Sequence, residues 1–294
     1  TYFLVNGSSC GLQALVLAVC NPGDRIILPR NIHRSILSGV ILSGATPLFY
    51  LPEYDEKFSI PLGTLPETIN TMLNRHPDAK AVLVINPTYH GVTSDIKTIA
   101  DIAHHAGVPL LVDEAHGPHL CFHPKLPGSS LSQGADAVVH GTHKLLSALT
   151  QASMLHLQGT RVEARRVESA LRLLQSTSTS YLLLASLDAA RAQMAIHGHQ
   201  LLEISQNHAD YLRENIKLIK GLEVYGHEEP APPLRFGLDP CKVTISFRNW
   251  PFTGLEIERL LRQKYNIQVE MADVFNILLL ISHATTRREC NLLL

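Results

Sequence analysis

The residues Ala135-Asp136-Ala137-Val138-Val139-His140-Gly141-Thr142-His143-Lys144-Leu145-Leu146 join an apolar strand pattern to a turn that carries a lysine. A second apolar run, Ser153–Leu157, follows that turn. The pattern places Lys144 between two buried strands. Two imidazoles and a hydroxyl group surround it in sequence. A lysine that is partly desolvated beside such dipoles can lose its proton near neutral pH and act as an amine nucleophile.

Outward from this turn, apolar strand-like segments alternate with helix-like segments. Continuous apolar strands separated by helices predict an α/β fold with a mainly parallel sheet covered by helices on both faces. The predicted strands cover residues 2–5, 25–28, 47–51, 81–85, 109–112, 137–139 and 153–157, and the predicted helices cover 11–19, 32–43, 65–74 and 96–106.

The character of the chain changes after Arg161. Long helices are predicted over residues 162–174 and 182–218, with a break in the second near Gly198. Residues 226–240 are rich in Pro and Glu and are typical of a linker or exposed loop. Beyond them the pattern predicts a smaller α+β segment, with strands at 241–247, 267–270 and 276–281 and a helix at 255–264. The predicted division is a major domain at 1–221 and a smaller segment at 222–294.

Composition excludes several classes of protein. The 294 residues are 45% hydrophobic and 17% charged, which is typical of a globular chain with a sizeable core. The net charge of −1 argues against a nucleic-acid or anionic-membrane surface. Five scattered cysteines without metal-binding spacing predict reduced thiols and a cytoplasmic protein. No apolar run reaches transmembrane length, and we expect no signal peptide. A start at Thr1 and an end in Leu292-Leu293-Leu294 predict a fragment.

Four polar sets follow predicted strands: Asn6–Ser9, Asn86–Gly91, Asp113–His116 and His140–Lys144. Because ligands bind at the carboxyl ends of the strands in such sheets, we expect these sets to surround one site.

Two of these sets have an ordinary interpretation beside a functional one. The run Asn6-Gly7-Ser8-Ser9-Cys10-Gly11 precedes a helix, where free N–H groups and serine hydroxyls bind anions, although a plain serine N-cap has the same pattern. Asp113 ends a buried strand, where it can pair with a cationic ring nitrogen or form a solvated turn.

The histidines have ordinary interpretations too. His116, His119 and His123 flank Cys121, but their spacing matches no zinc motif, so no metal is predicted. His119 and His123 are expected at the surface or the core edge. His33 is expected to cap a helix or to be exposed. Taken together, a phosphate site, a carboxylate for a ring nitrogen and a lysine amine describe an enzyme that uses pyridoxal 5′-phosphate.

Six motifs, in this order, resemble the major domain of the ornithine/lysine/arginine decarboxylases, a family with the aspartate-aminotransferase (type I) fold. That resemblance implies a large domain of the seven-stranded type and the loss of an N-terminal segment and a C-terminal domain. It extends more loosely to residues 268–273. The motifs are NGSSCGLQALVLA (6–18), PRNIHRSILSG (29–39), NPTYHGV (86–92), VDEAHGPHL (112–120), HGTHKLLSALTQASMLHL (140–157) and STSTSYLLLASLDAAR (176–191).

The resemblance assigns a role to each matching residue. Lys144 would hold the cofactor covalently, and Asp113 would pair with its ring nitrogen. His33 would stack over the ring and Ala115 would lie under it, while His116 would hydrogen-bond the ring hydroxyl. The remaining contacts are to the cofactor phosphate and come from Ser8, Ser9 and the Cys10 amide, with Thr142 or His143 adding to them.

The implied activity is decarboxylation of arginine, lysine or ornithine to a polyamine-type amine and CO₂. Asp273 or Glu270 would contact the distal cation of the substrate. The implied assembly is a homodimer or a higher homo-oligomer, in which residues 176–180 reach the partner's cofactor.

Two alternatives stay open. One is an aminotransferase of the same fold, in which Arg287 or Arg288 would bind the substrate α-carboxylate. The other is a truncated paralogue without catalytic activity.

Overall fold

The computed structural model describes residues 1–226 and 236–294. Its helices are α1 Gly7–Val19, α2 Arg34–Ser43, α3 Pro66–Arg75, α4 Ile96–His105, α5 Thr142–Leu145, α6 Ala164–Leu174, α7 Tyr181–Ile216, α8 Gly254–Tyr265 and α9 Arg287–Leu293. Its strands are β1 Tyr2–Leu4, β2 Arg25–Pro29, β3 Thr46–Tyr50, β4 Tyr54–Asp55, β5 Ile60–Pro61, β6 Ala79–Ile85, β7 Val92–Thr93, β8 Leu110–Asp113, β9 Ala137–His140, β10 Ser153–Leu157, β11 Glu223–Val224, β12 Gly237–Leu238, β13 Lys242–Ser246, β14 Met271–Ala272 and β15 Asn276–Leu280.

Seven strands form the main sheet in the order β1-β10-β9-β8-β6-β2-β3. Strands β9, β8, β6, β2 and β3 run parallel, and β10 runs antiparallel to both of its neighbours. The predicted α/β fold with a mainly parallel sheet is therefore confirmed. The carboxyl ends of β1, β6, β8 and β9 open at one edge of this sheet.

Helices cover both faces of the main sheet. Alternate residues of β6 divide between the two faces, since Leu83 packs in the core under α1, α2 and α6, while Val84 packs in the core under α3 and α4. In β9, Val139 and Val138 divide in the same way. Both faces need apolar side chains, which explains why the strands are apolar without interruption.

A second, four-stranded antiparallel sheet has the order β11-β13-β15-β14. The end of α7 packs against it through Leu212 and Ile216, and α8 packs through Ile257. This arrangement matches the α+β content expected of the C-terminal part. The division at residue 221 remains a prediction, because the core of this sheet already includes Ala209 on α7.

Three sequence expectations are wrong in detail. Helix α7 is continuous through Gly198, where an added Cβ would lie 3.1 Å from the Cβ of Phe122, so this glycine permits a close approach and does not break the helix. Residues 267–270 are not a strand, because α8 ends in the left-handed Asn266 and the chain joins the sheet only at Met271. Helix α1 begins at Gly7, four residues before the predicted start at 11.

Much of the predicted loop at 226–240 lies outside the described residues. Gly237 and Leu238, within its described part, form β12 and pair with β7. In the described ranges, 1–226 and 236–294, no helix is long and apolar enough to cross a membrane.

Candidate active site

The four polar sets surround one cavity of about 750 Å³ at the carboxyl edge of the main sheet. The expected convergence is therefore observed in the structure. The cavity is lined by Asn6, Gly7, Ser8, Ser9, Leu12, Asn31, Ile32, His33, Pro61, Ile85, Pro87, Tyr89, His90, Asp113, Ala115, His116, His143, Lys144, Thr150, Gln151 and Met271.

Lys144 projects from the short helix α5, directly after β9. Its Nζ lies 2.8 Å from Nε2 of His116. Burial lowers the pKa of the Lys144 amine, while the carboxylates of Asp113 and Glu270 act in the opposite direction. The structure thus supplies the partly desolvated lysine that the sequence pattern predicts.

Asp113 ends β8 and is only 6% exposed. Its Oδ1 accepts a hydrogen bond of 3.2 Å from the backbone N–H of Ala115. Burial raises the pKa of its carboxyl group, although the Ala115 N–H, Lys144 and His33 oppose that shift. A cationic ring nitrogen placed beside it would lower the pKa again and hold Asp113 ionised.

The start of α1 fits a phosphate group. Asn6 precedes the helix and makes no side-chain cap bond, while the N–H of Gly7 donates to the carbonyl of Gln151 at 2.9 Å. Ser8 and Ser9 line the cavity from the first turn, where amide groups and the helix dipole favour an anion. Cys10 is buried in the core beneath α1, so its backbone amide and not its thiol is the group this turn offers.

His33 caps α2, and its ring lies at the rim of the cavity. Its Nδ1 accepts from the backbone N–H of Ser35 at 3.2 Å, which leaves the ring proton on Nε2. Burial lowers the pKa of His33. Both expectations for this residue, a helix cap and a side chain at the cofactor site, are compatible in the structure.

The other predicted cofactor residues lie near Lys144. Ala115 and His143 line the cavity. His143 Nδ1 lies 3.0 Å from the carbonyl of Ala152, so it donates there and fixes the ring orientation. Thr142 is 1% exposed, and its hydroxyl has no hydrogen-bond partner within the described ranges. This hydroxyl is a buried, orphaned polar group close to the lysine in sequence, but Thr142 is not among the residues that line the cavity.

The sequence analysis missed Lys242, and it placed Tyr89 in the polar set 86–91 without giving it a role. Lys242 lies on β13, is 1% exposed, and places Nζ 2.9 Å from Nδ1 of His116. The Tyr89 ring lies 4.5 Å from the His116 ring, and its hydroxyl donates to Glu270 at 2.8 Å. A lysine inside the apolar strand 241–247 was the signal that could have identified Lys242.

The two acidic candidates for substrate binding separate in the structure. Glu270 reaches the site through Tyr89. Asp273 instead accepts from the backbone N–H groups of Phe275 and Asn276 in a turn. Arg287, on α9, stacks over the ring of Tyr211 on α7, and neither Arg287 nor Arg288 lines the described cavity.

The expectation that His119 and His123 lie at the surface or core edge is wrong. They are 1% and 4% exposed. The Nε2 of His119 lies 3.1 Å from a carboxylate oxygen of Asp239, and His123 lies 2.8 Å from Glu203. Each imidazole can be buried because a neighbouring carboxylate pairs with its ring nitrogen.

A family profile described as "Orn/Lys/Arg decarboxylase, major domain" matches residues 1–230. The chain belongs to the Orn/Lys/Arg decarboxylase family. It is 43% identical over 291 residues to the arginine decarboxylase of Bacillus subtilis, covering 99% of this chain and 59% of that protein. It is 33% identical over 217 residues to the lysine decarboxylase LdcA of Pseudomonas aeruginosa, covering 66% and 29%. The chain thus spans about three fifths of the length of its Bacillus relative.

Solved structures of this family share the fold. Lysine decarboxylase A from Pseudomonas aeruginosa superposes with a TM-score of 0.85 at 26% identity, covering 99% of this chain and 47% of that one. The ureidoglycine–glyoxylate aminotransferase of Bacillus subtilis superposes with a TM-score of 0.74 at 14% identity, covering 99% and 77%. The second match shows a shared fold alone.

Proposed function

We propose that this chain carries the catalytic site of a pyridoxal-phosphate-dependent decarboxylase whose substrate is arginine. The observation that carries the proposal is the convergence of Lys144, Asp113 and the start of α1 on one cavity. Arginine is favoured over lysine because the arginine decarboxylase of Bacillus subtilis is 43% identical to the chain and the lysine decarboxylase LdcA is 33% identical.

The residues of the cavity fit the cofactor group by group. The first turn of α1, with Ser8 and Ser9, would bind the phosphate. Asp113 would pair with the ring nitrogen and Lys144 would hold the cofactor through its amine. When bound, pyridoxal 5′-phosphate supplies a ring that accepts the electrons released as the substrate loses CO₂.

The protein groups around that ring orient and shield it. His33 would lie over the ring, held by its bond to the Ser35 amide, and Ala115 would lie beneath. Glu270 would meet the distal cation of the substrate, and Tyr89 fixes its carboxylate at 2.8 Å.

The test is reconstitution of the purified protein with the cofactor. We expect a visible absorbance band, and borohydride reduction should attach the cofactor to the peptide that contains Lys144. The Lys144→Ala variant should lose both signals, while Lys97→Met, which changes an exposed residue of α4, should keep them. An unlabelled Lys144 peptide in the wild type would refute cofactor binding.

Product analysis then separates decarboxylation from transamination. We expect CO₂ and the amine from arginine, at a higher kcat/KM than from lysine or ornithine. Formation of a keto acid without CO₂ would favour the aminotransferase instead. Arg287 and Arg288, which kept that alternative open, lie away from the described cavity.

We also infer a cytoplasmic homodimer. Tyr181 and Leu182, which are adjacent at the start of α7, are 83% and 76% exposed, and a contiguous exposed apolar patch is typical of a protein–protein interface. Four of the five cysteines are buried and all are free, which supports a reducing compartment. Light scattering should give twice the protomer mass, and Tyr181→Asp with Leu182→Asp should give the protomer mass. A wild-type protomer mass would refute the dimer.

A further inference from the structure

A second buried lysine reaches the candidate site from the other sheet. Lys242 enters from β13, and its Nζ lies 2.9 Å from Nδ1 of His116. On the opposite side of the same ring, Nε2 lies 2.8 Å from Nζ of Lys144. The imidazole of His116 therefore bridges two lysine nitrogens, and its ring is 8% exposed.

The chemistry of imidazole limits how protons can be distributed over Lys144, His116 and Lys242. A neutral imidazole has one N–H and one lone pair, and an ammonium group only donates. If both lysines were charged, the N–H of the ring would face another N–H. Both contacts are hydrogen bonds only when one lysine is a neutral amine. Burial, followed by the charges of Lys242 and Lys144, lowers the pKa of His116 and keeps the ring neutral.

The surroundings of Lys242 lower the pKa of its ammonium group. Burial, with a smaller contribution from the charge of Lys144, lowers the pKa of Lys242 to about 8, although Asp239, Glu270 and Cys241 act to raise it.

Two more groups face Lys242 from the main sheet. The ring of Tyr89 lies 5.5 Å from its Nζ, and His90 is kept neutral by its own burial. Gly91 approaches the Lys242 side chain so closely that an added Cβ would lie 2.7 Å from its Cβ. Lys242 is therefore held in place by the loop after β6.

Decarboxylation consumes a proton. The substrate loses CO₂ and gains one proton at its α-carbon, so a group at the site must donate that proton. We propose that Lys242 supplies this proton to Lys144 through His116. This inference rests on the proposed decarboxylase function and adds a proton donor to it.

The transfer is balanced on the three side chains. A proton leaves Nζ of Lys242 for Nδ1 of His116, while the proton on Nε2 leaves for Nζ of Lys144. The ring ends neutral with its proton on the other nitrogen, and one positive charge has moved from Lys242 to Lys144. Lys144 then donates to the α-carbon. Between turnovers a proton that enters at Lys144, which lines the cavity, returns along the same three side chains and restores both the Lys242 ammonium and the first tautomer of His116.

The first experiment uses the protein without cofactor and needs no activity. Reductive methylation labels only neutral amines, so the labelling rate of the Lys144 peptide against pH reports the ionisation of Lys144. We expect Lys242→Met to lower labelling at pH 8 by about tenfold, since loss of a neighbouring like charge raises the pKa of Lys144 by about one unit. An unchanged pH profile would show that the two lysines share no proton and would overturn the proposal.

The second experiment uses the enzyme with cofactor bound. Lys242→Arg keeps the charge, but a guanidinium does not release its proton near neutral pH. We expect kcat to fall about 100-fold with KM within a few-fold of wild type, as for loss of a general acid. His116→Gln should give a similar loss, because an amide cannot exchange its proton between two nitrogens.

A double variant distinguishes a relay from two separate effects. If two groups act in series, removing either one blocks the same transfer. The kcat of the Lys242→Arg, His116→Gln double variant should therefore be no lower than that of either single variant. Multiplied losses, or a Lys242→Arg enzyme with wild-type kcat, would overturn the relay. If the wild-type protein releases no CO₂ at all, the decarboxylase proposal fails instead, while the labelling result still shows whether the lysines are coupled.

Discussion

Asp113 shows how a single residue depends on the group that it binds. Burial raises the pKa of its carboxyl group in the protein alone. A ring nitrogen that carries a proton would reverse this shift, because opposite charges in a dry site stabilise one another. The carboxylate therefore gains its full effect only when the cofactor is bound.

We expect Asp113→Asn to keep the visible absorbance of the bound cofactor and to lower kcat by about 100-fold, as for removal of one preorganised charge from an active site. The measurement is steady-state decarboxylation of arginine beside the absorbance spectrum. Asp101→Asn, on the exposed side of α4, is the matched control. Full activity in Asp113→Asn would show that the ring nitrogen has another partner.

Residues of this site differ in how far the sequence alone could predict them. Lys144 and Asp113 follow apolar strands directly, so local pattern and sheet topology placed both at one edge. Lys242 meets His116 across 126 residues of chain, through a contact between two sheets. The contact depends on tertiary packing that no local pattern encodes, and the lysine within an apolar strand was its only trace.

Helix α2 combines structural and functional demands at His33, the residue that caps its N-terminus. The Nδ1 of His33 accepts the Ser35 amide, and the same ring borders the cavity. Asparagine can keep the cap without a ring, and phenylalanine can keep a ring without the cap. These two substitutions therefore separate the stability of the helix from binding of the cofactor.

We expect His33→Phe to lower the free energy of unfolding by about 1 kcal/mol, the usual value of an N-cap, and to retain cofactor affinity. His33→Asn should keep the stability and weaken cofactor affinity by about tenfold, through loss of ring stacking. Chemical denaturation and absorbance titration measure the two effects. A variant that changed both quantities together would contradict the separation.

The sequence predicted some secondary-structure elements more accurately than others. Strands β6, β8 and β9 are apolar on both faces and were placed within two residues, because each must pack against helices on two sides. The break expected near Gly198 is wrong, because the closely packed Phe122 lies far away in sequence. Gly198 permits a close tertiary contact. From the sequence pattern alone, the same glycine predicts a helix break.

At the scale of the whole molecule, the two sheets are joined by buried polar contacts near the site. His90 follows β6, is 4% exposed, and places Nδ1 3.2 Å from Oγ1 of Thr244 on β13. Lys242, on the same strand, meets His116 in the same region. We therefore expect protonation of His90 at acid pH to lower the free energy of unfolding.

Burial lowers the pKa of His90 to about 4. The unfolded chain binds a proton at this ring near pH 6.5 and the folded protein only near pH 4, so the unfolded state binds more protons between these values. Stability is full above about pH 6.5 and declines as the pH falls to about 4, by about 3 kcal/mol from this group. Urea unfolding of His90→Gln across that range should show a shallower decline than wild type. His105→Gln, at the exposed end of α4, should follow wild type, and equal slopes for all three proteins would show that His90 is not held neutral between the sheets.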